Sequence, residues 1–193
     1  MWASVFSTFE NSVLISVNTW ALSSTATQFV AYFCARYAIV LLFALPLVVI
    51  ITDRNKTNRA NDLRMLVRAL LAVMIAWGVA FILESMVGRV RPAIAIPNQI
   101  NALINLPGNS SFPSGHTVAS FALAFSFFLS VRYRFLGVLM MLLAILVAFG
   151  RVAVGAHYPT DVLAGAAVGM LVAFLLAYEG SPLFRWLLKA RSS

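Results

Sequence analysis

The sequence predicts an all-α protein, a polytopic membrane helical bundle, and three observations carry that prediction. Of its 193 residues, 62% are hydrophobic and only 10% are charged, against about 25% charged in an ordinary soluble domain. Too few polar side chains remain to cover a water-facing surface. Five apolar runs reach or approach the roughly 20 helical residues that a hydrocarbon core of about 30 Å requires, and helices satisfy their own backbone groups there. The basic residues, finally, are sorted between the connections. The length admits one membrane-embedded domain over 1–193, with an interfacial helix in 1–28, a transmembrane bundle in 29–178 and a cytoplasmic tail in 179–193.

Residues 2–21 place Trp2, Val5, Phe6, Phe9, Val13, Val17 and Trp20 at three- and four-residue spacing, with Glu10, Asn11, Ser12 and Asn18 among them. This predicts an amphipathic helix lying in the interface, its tryptophans near the headgroups; a full span is the weaker alternative. Spans follow at 29–51, interrupted by Arg36 and Pro46, then at 66–87, 113–131, 135–151 and 162–178. Arg36 either snorkels to the outer interface, the favoured reading, or enters a substrate groove. Gly165 and Gly169 form a small-residue face in the last span, read as close packing against a neighbouring span rather than as a dimer contact. That packing is expected to hold the fourth and fifth spans together. Trp77 and Glu179 read as ordinary lipid-facing or interfacial positions.

With five spans, Arg54, Lys56, Arg59, Arg64, Arg68, Arg132, Arg134, Arg185, Lys189 and Arg191 fall on one side and only Arg89, Arg91 and Arg151 on the other. The positive-inside rule puts the first group in the cytoplasm. The net charge of +8 is therefore mostly topological. It does not imply nucleic acid, although some of it suits anionic lipids. No protein partner is implied. The single cysteine, Cys34, excludes an intrachain disulfide or a thiolate metal site. The first basic residue is Arg36, so the start does not read as a cleavable signal peptide. The Asn- and Pro-rich loop 93–112 faces outward, placed to cover whatever lies at that face.

Both histidines also fall on the outward side. His116 lies in Pro113-Ser114-Gly115-His116 and opens the third span. His157 lies in Arg151-Val152-Ala153-Val154-Gly155-Ala156-His157-Tyr158-Pro159-Thr160-Asp161, which joins the fourth and fifth. Arg91-Pro92 follows the outer end of the second. Three separated segments thus bring two imidazoles, a carboxylate and two guanidinium groups to one face. A helix N-terminus rich in Ser and Gly offers N–H groups to an anion, and Arg91 and Arg151 can clamp phosphoryl oxygens. His157 can attack phosphorus if Asp161 fixes its other nitrogen, while His116 protonates the leaving oxygen. The inventory suits phosphoryl transfer through a phosphohistidine, with neither metal nor cofactor. Tyr158 and Pro159 shape the turn that presents His157. Asp161 taken alone would read as a helix cap, here a second job.

These residues resemble the type 2 phosphatidic acid phosphatase superfamily, whose signatures are Lys-x6-Arg-Pro, Pro-Ser-Gly-His and Ser-Arg-x5-His-x3-Asp. The likeness covers the region from about Leu66 to Gly169. It implies a metal-independent lipid phosphatase in which His157 is the nucleophile, Asp161 orients it and His116 is the general acid. Arg91, Ser114, Gly115 and Arg151 would hold the phosphate. The soluble haloperoxidase branch of that superfamily is excluded by composition. Two positions depart from the pattern. Gly150 replaces the serine before Arg151, and Glu84 replaces the lysine of the first signature. Glu84 is expected either to pair with Arg91 or Arg89 or to bond a protonated phosphate, with Arg89 supplying the missing charge. Within the superfamily the chain is most similar to the bacitracin-resistance type of undecaprenyl diphosphatase. That implies conversion of a polyprenyl diphosphate to the monophosphate at the outer face of the cell membrane. A broad phosphatidate or phosphatidylglycerol phosphate phosphatase is the alternative, and a non-catalytic lipid transporter or scaffold is the alternative of another class.

Overall fold

The computed structural model describes residues 2–52, 59–106 and 108–177, with side chains from Ser7 onward. Eight helices follow in order: α1 (Trp2–Leu22), α2 (Thr25–Arg36), α3 (Ala38–Thr52), α4 (Arg59–Val87), α5 (Pro92–Ala95), α6 (Gly115–Leu129), α7 (Arg134–Ala153) and α8 (Pro159–Ala177). Among the described residues the only β pairing is an isolated bridge between Val90 and Ser110. Helices α4, α7 and α8 are each long and apolar enough to cross a membrane. α2 and α3 form one broken span bent by 51°, and α6 is shorter, at 15 residues. The five expected spans thus correspond to three full helices, a bent pair and a short helix. The basic residues Arg54, Lys56, Arg185, Lys189 and Arg191, the tail beyond 177 and Glu179 lie outside the described residues.

Small residues decide which helices meet. α4 buries Ala69, Ala72, Ala76 and Ala80 on one stripe while exposing Met74, Trp77 and Phe81 on the other, so α6 and α8 approach the backbone of α4. Ala72, Ala76 and Ala80 share a cluster with Val118, Ala122, Val172 and Ala173. Gly165 and Gly169 pack against α6: a Cβ at 169 would lie 2.5 Å from the Val118 carbonyl oxygen, and one at 165 lies 2.9 Å from that of Ser114. The expected close packing is therefore present, but the partner is α6, the third expected span, and not α7.

Helix α1 departs from the expected amphipathic arrangement. Glu10, Leu14, Asn18 and Ala21 form a buried stripe at helical spacing, while Phe9 is 68% and Trp20 41% exposed. The polar side chains point into the protein, because each has a buried partner there. Asn18 donates from Nδ2 to the carbonyl oxygens of Asn101 (3.0 Å) and Ala153 (2.9 Å) and accepts at Oδ1 from the Asn101 amide (3.1 Å). A buried amide bonded this way ties α1, the 93–112 loop and the end of α7 into one unit.

Candidate active site

The site grows from the short segment between α7 and α8. Val154 closes α7, and Gly155 turns the chain with φ +73°. A side chain there would be strained and would also meet Ile100 at 2.7 Å. Pro159 then opens α8 at its first position, where a missing N–H costs nothing. Asp161, two residues further into the first turn, reaches back with Oδ2 to the Tyr158 amide at 2.9 Å, half of a capping box. This short, tightly bonded turn holds His157 at 3% exposure.

The ring has a defined tautomer. Nδ1 lies 2.7 Å from the carbonyl oxygen of Ser111, which can only accept, so Nδ1 carries the proton. Nε2 then presents its lone pair, which faces Nη1 of Arg91 at 3.2 Å. Asp161 stands farther off, with Oδ2 3.9 Å from Nδ1. This differs from the expectation that Asp161 fixes the ring directly. Its oxygens are committed to the Tyr158 amide and, at 2.8 Å, to Arg89. Ser111 orients the imidazole, and Asp161 supplies a nearby negative charge and the architecture of the turn. Burial and the charges of Arg151 and Arg91 hold His157 well below its ordinary pKa, so the neutral form is present at neutral pH.

His157 opens into a cavity of about 360 Å³ whose wall also includes Glu84, Arg91, Ser110, Gly115, His116 and Arg151. Arg91 is fixed by donating to the carbonyl oxygens of Gly108 (3.2 Å) and Ala156 (3.1 Å). Arg151 is 4% exposed, and its Nε is buried without a hydrogen-bond partner, as is Ser110 Oγ. A desolvated cation with an unused donor beside a second cation is an arrangement that an anion stabilises. His116 stands exposed in the first turn of α6, whose N-cap makes no side-chain capping bond. The amides of that turn lack a side-chain cap, and Gly115 and His116 line the cavity.

The remaining expected residues fall elsewhere. Ser114 is fully buried and is not on the cavity wall; its amide donates to Asp161 O at 3.1 Å and its Oγ accepts from Thr117. It joins α6 to α8 behind the site. Glu84 lines the same cavity as Arg91. Arg89 is engaged away from the cavity. It donates to Glu10 at 2.6 Å, Asp161 at 2.8 Å and Thr160 at 2.7 Å, and its guanidinium stacks 3.7 Å over the Tyr158 ring. Glu10 in turn accepts from the Thr160 amide at 3.0 Å and from its hydroxyl. Burial alone would raise the Glu10 carboxyl, but the bonds from Arg89 and Thr160 hold it below the ordinary range.

Sequence reasoning missed Ser111, because the group used is a main-chain carbonyl with no signature. It also missed the role of Glu10, although the i, i+4 spacing of Glu10, Leu14 and Asn18 was a signal for one buried stripe. Trp77, read as lipid-facing, is 61% exposed, and with Phe81 and Ile39 it also lines the apolar side of the cavity.

A PAP2 superfamily model matches residues 65–181. The chain belongs to that superfamily and is a membrane hydrolase acting on lipid phosphates. The bacitracin transport permease protein BcrC of Bacillus licheniformis is 36% identical over 154 residues, spanning 80% of this chain and 72% of that protein. Undecaprenyl-diphosphatase BcrC of Bacillus subtilis (strain 168) is 32% identical over 143 residues, 74% of this chain and 69% of that one. In three dimensions the chain resembles the crystal structure of Aquifex aeolicus LpxE, with a TM-score of 0.63 and 25% identity over 86% of this chain and 92% of the other.

Proposed function

We propose that the protein removes the terminal phosphate of a polyprenyl diphosphate, undecaprenyl diphosphate above all, and does so through a phosphohistidine. One observation carries this reading: the unprotonated Nε2 of a neutral His157, bonded by Arg91, lies on a cavity walled by two buried arginines, the other with an unused donor. The substrate phosphate lies against Arg91, Arg151 and the first amides of α6. Nε2 attacks the terminal phosphorus, and the bond from phosphorus to the bridging oxygen breaks. Prenyl monophosphate leaves, taking a proton from His116, whose protonated form is favoured by the charge of the bound substrate. Water then attacks the phosphohistidine and gives its proton to His116, which releases inorganic phosphate and restores both rings. The Asp161 charge stabilises the ring as positive charge develops on it.

The name carried by the Bacillus subtilis relative, undecaprenyl-diphosphatase BcrC, supports a diphosphate substrate. The exposed Trp77 and Phe81 beside the cavity suit a lipid chain entering from the side, its headgroup meeting the arginines. The sorting of basic residues supports a site on the outer face of the cell membrane, with cytoplasmic connections at the other end.

The test is phosphate release by the purified protein in detergent with EDTA, from polyprenyl diphosphate, polyprenyl phosphate and phosphatidate. The diphosphate should be preferred, activity should survive EDTA, and an acid-labile phosphoprotein should be trapped in wild type and be absent in His157→Ala. Preference for phosphatidate would replace the substrate with a phosphoglyceride. A requirement for added magnesium would overturn the histidine mechanism.

A further inference from the structure

The break between α2 and α3 brings a third cation to the level of the site. Arg36 is the last residue of α2, and the chain bends by 51° before α3 begins at Ala38. The depth of Arg36 is set by its neighbours. A Cβ on Gly150 would lie 2.4 Å from the Ala35 nitrogen and 2.5 Å from the Cys34 carbonyl carbon, so the two backbones touch beside Arg151. Ala31 and Ala35 belong to the same apolar cluster as Ala153, Val154 and Ala156 of the His157 turn. One turn after Arg36, Ile39 is on the cavity wall. The Arg36 side chain is exposed, and among the described residues no carboxylate lies within ion-pair distance of it. The packing of Ala35 on Gly150 fixes the backbone of Arg36 one turn from the cavity wall.

Two arginines, Arg91 and Arg151, and one carboxylate, Glu84, line the cavity, while Arg36 lies one turn before Ile39 of its wall. A phosphate monoester carries about 1.5–2 negative charges near neutral pH, which Arg91 and Arg151 can match. A further cation, carried on a different helix, fits a second phosphate group. Resting on the reading of His157 as nucleophile toward a lipid diphosphate, we propose that Arg36 binds the inner phosphate, the group that leaves. As the Nε2–phosphorus bond forms and the bond from the terminal phosphorus to the bridging oxygen breaks, negative charge moves onto that inner phosphate. Arg36 neutralises it there. It is thus a residue that selects diphosphates over monophosphates, and Gly150 is the position whose lack of a side chain admits it.

The experiment compares wild type, Arg36→Ala and Arg36→Lys on farnesyl diphosphate and farnesyl monophosphate, with inorganic pyrophosphate and orthophosphate as competing inhibitors. In Arg36→Ala, kcat/KM for the diphosphate should fall on the order of tenfold or more, the scale of one charge-assisted hydrogen bond. Turnover of the monophosphate should stay within about twofold. Arg36→Lys should recover part of the loss, because it keeps the charge without the fork. Inhibition by pyrophosphate should weaken in Arg36→Ala while inhibition by orthophosphate does not. Equal losses on both substrates, or no loss on either, would overturn the assignment of Arg36. Wild type that hydrolyses the monophosphate and leaves the diphosphate intact would remove the substrate reading and the role of Arg36 together, before any substitution is compared.

Discussion

Glu10 belongs to a helix that the sequence marks only as interfacial, yet the structure makes it a support of the His157 turn. One carboxylate oxygen accepts from the Thr160 amide at 3.0 Å and from the Thr160 hydroxyl, and the other from Arg89 at 2.6 Å. The side chains of Glu10 and Arg89 are 6% and 29% exposed. Replacing Glu10 with Ala strips the Thr160 amide and hydroxyl and one guanidinium arm of their acceptor. Each orphaned buried group costs about 1–3 kcal/mol. Arg89 retains Asp161 and meets some water, so the expected loss is on the order of 2–5 kcal/mol. Glu10→Gln keeps an oxygen for Thr160 and should lose less. Thermal unfolding in detergent measures the stability. Phosphate release from a lipid phosphate should show kcat reduced on the order of tenfold with KM little changed, because the turn carrying His157 loosens while the arginines stay. The pH dependence has a definite sign. Glu10 is held below its ordinary value of 4.5, so its contribution is complete above that value and is lost as pH falls through the lowered one. Glu10→Ala that melts with wild type and turns over at the wild-type rate would refute the claim that α1 supports the site.

Three further outcomes are expected. Gly169→Ala places a Cβ 2.5 Å from the Val118 carbonyl oxygen and should destabilise by about 1–3 kcal/mol as α6 and α8 are forced apart. Gly78→Ala, with nothing within 4 Å, should be neutral or stabilising in the same melting assay. The acidic limb of kcat/KM should lie below 6.5, because burial and the two arginines hold His157 under that ordinary value. Arg91→Gln should move the limb upward in a pH–rate profile even as overall activity falls. A cysteine at the exposed Asn98 should react with an impermeant maleimide from outside intact cells. Cys34 is buried and needs no removal; labelling only after lysis would reverse the orientation.

Much of the bundle was legible because apolar runs are long and their polar interruptions few. The ends of α7 and the start of α8 lie within a few residues of the expected boundaries, since Pro159 and the Gly155 turn punctuate the chain locally. The bend after Arg36 was not legible. It depends on Gly150 accepting the backbone of Ala35, a contact between residues more than a hundred positions apart. Helix α1 falls where it was expected, but which of its faces packs inward was not assigned from the sequence. Hydrophobic periodicity scores Glu10 and Asn18 as water-seeking, and only their partners, Arg89, Thr160, Asn101 and Ala153, make burial favourable. Trp77 was likewise read by residue type, whereas its place beside Gly115 depends on how α4 crosses α6.

The sequence by itself determined the membrane class, the family and the set of ionisable groups brought to one face, because hydropathy and motif spacing are written along the chain. The tertiary structure alone decided how those groups divide their work. Ser111 holds the His157 ring through a main-chain carbonyl. Asp161 is turned toward Tyr158 and Arg89, and Arg89 is drawn away from the cavity by Glu10. Arg151 keeps an unused donor, and Arg36 arrives from a broken helix. Hydrogen-bond partners and charge environments are properties of distances between remote segments, and those distances exist only once the helices have packed.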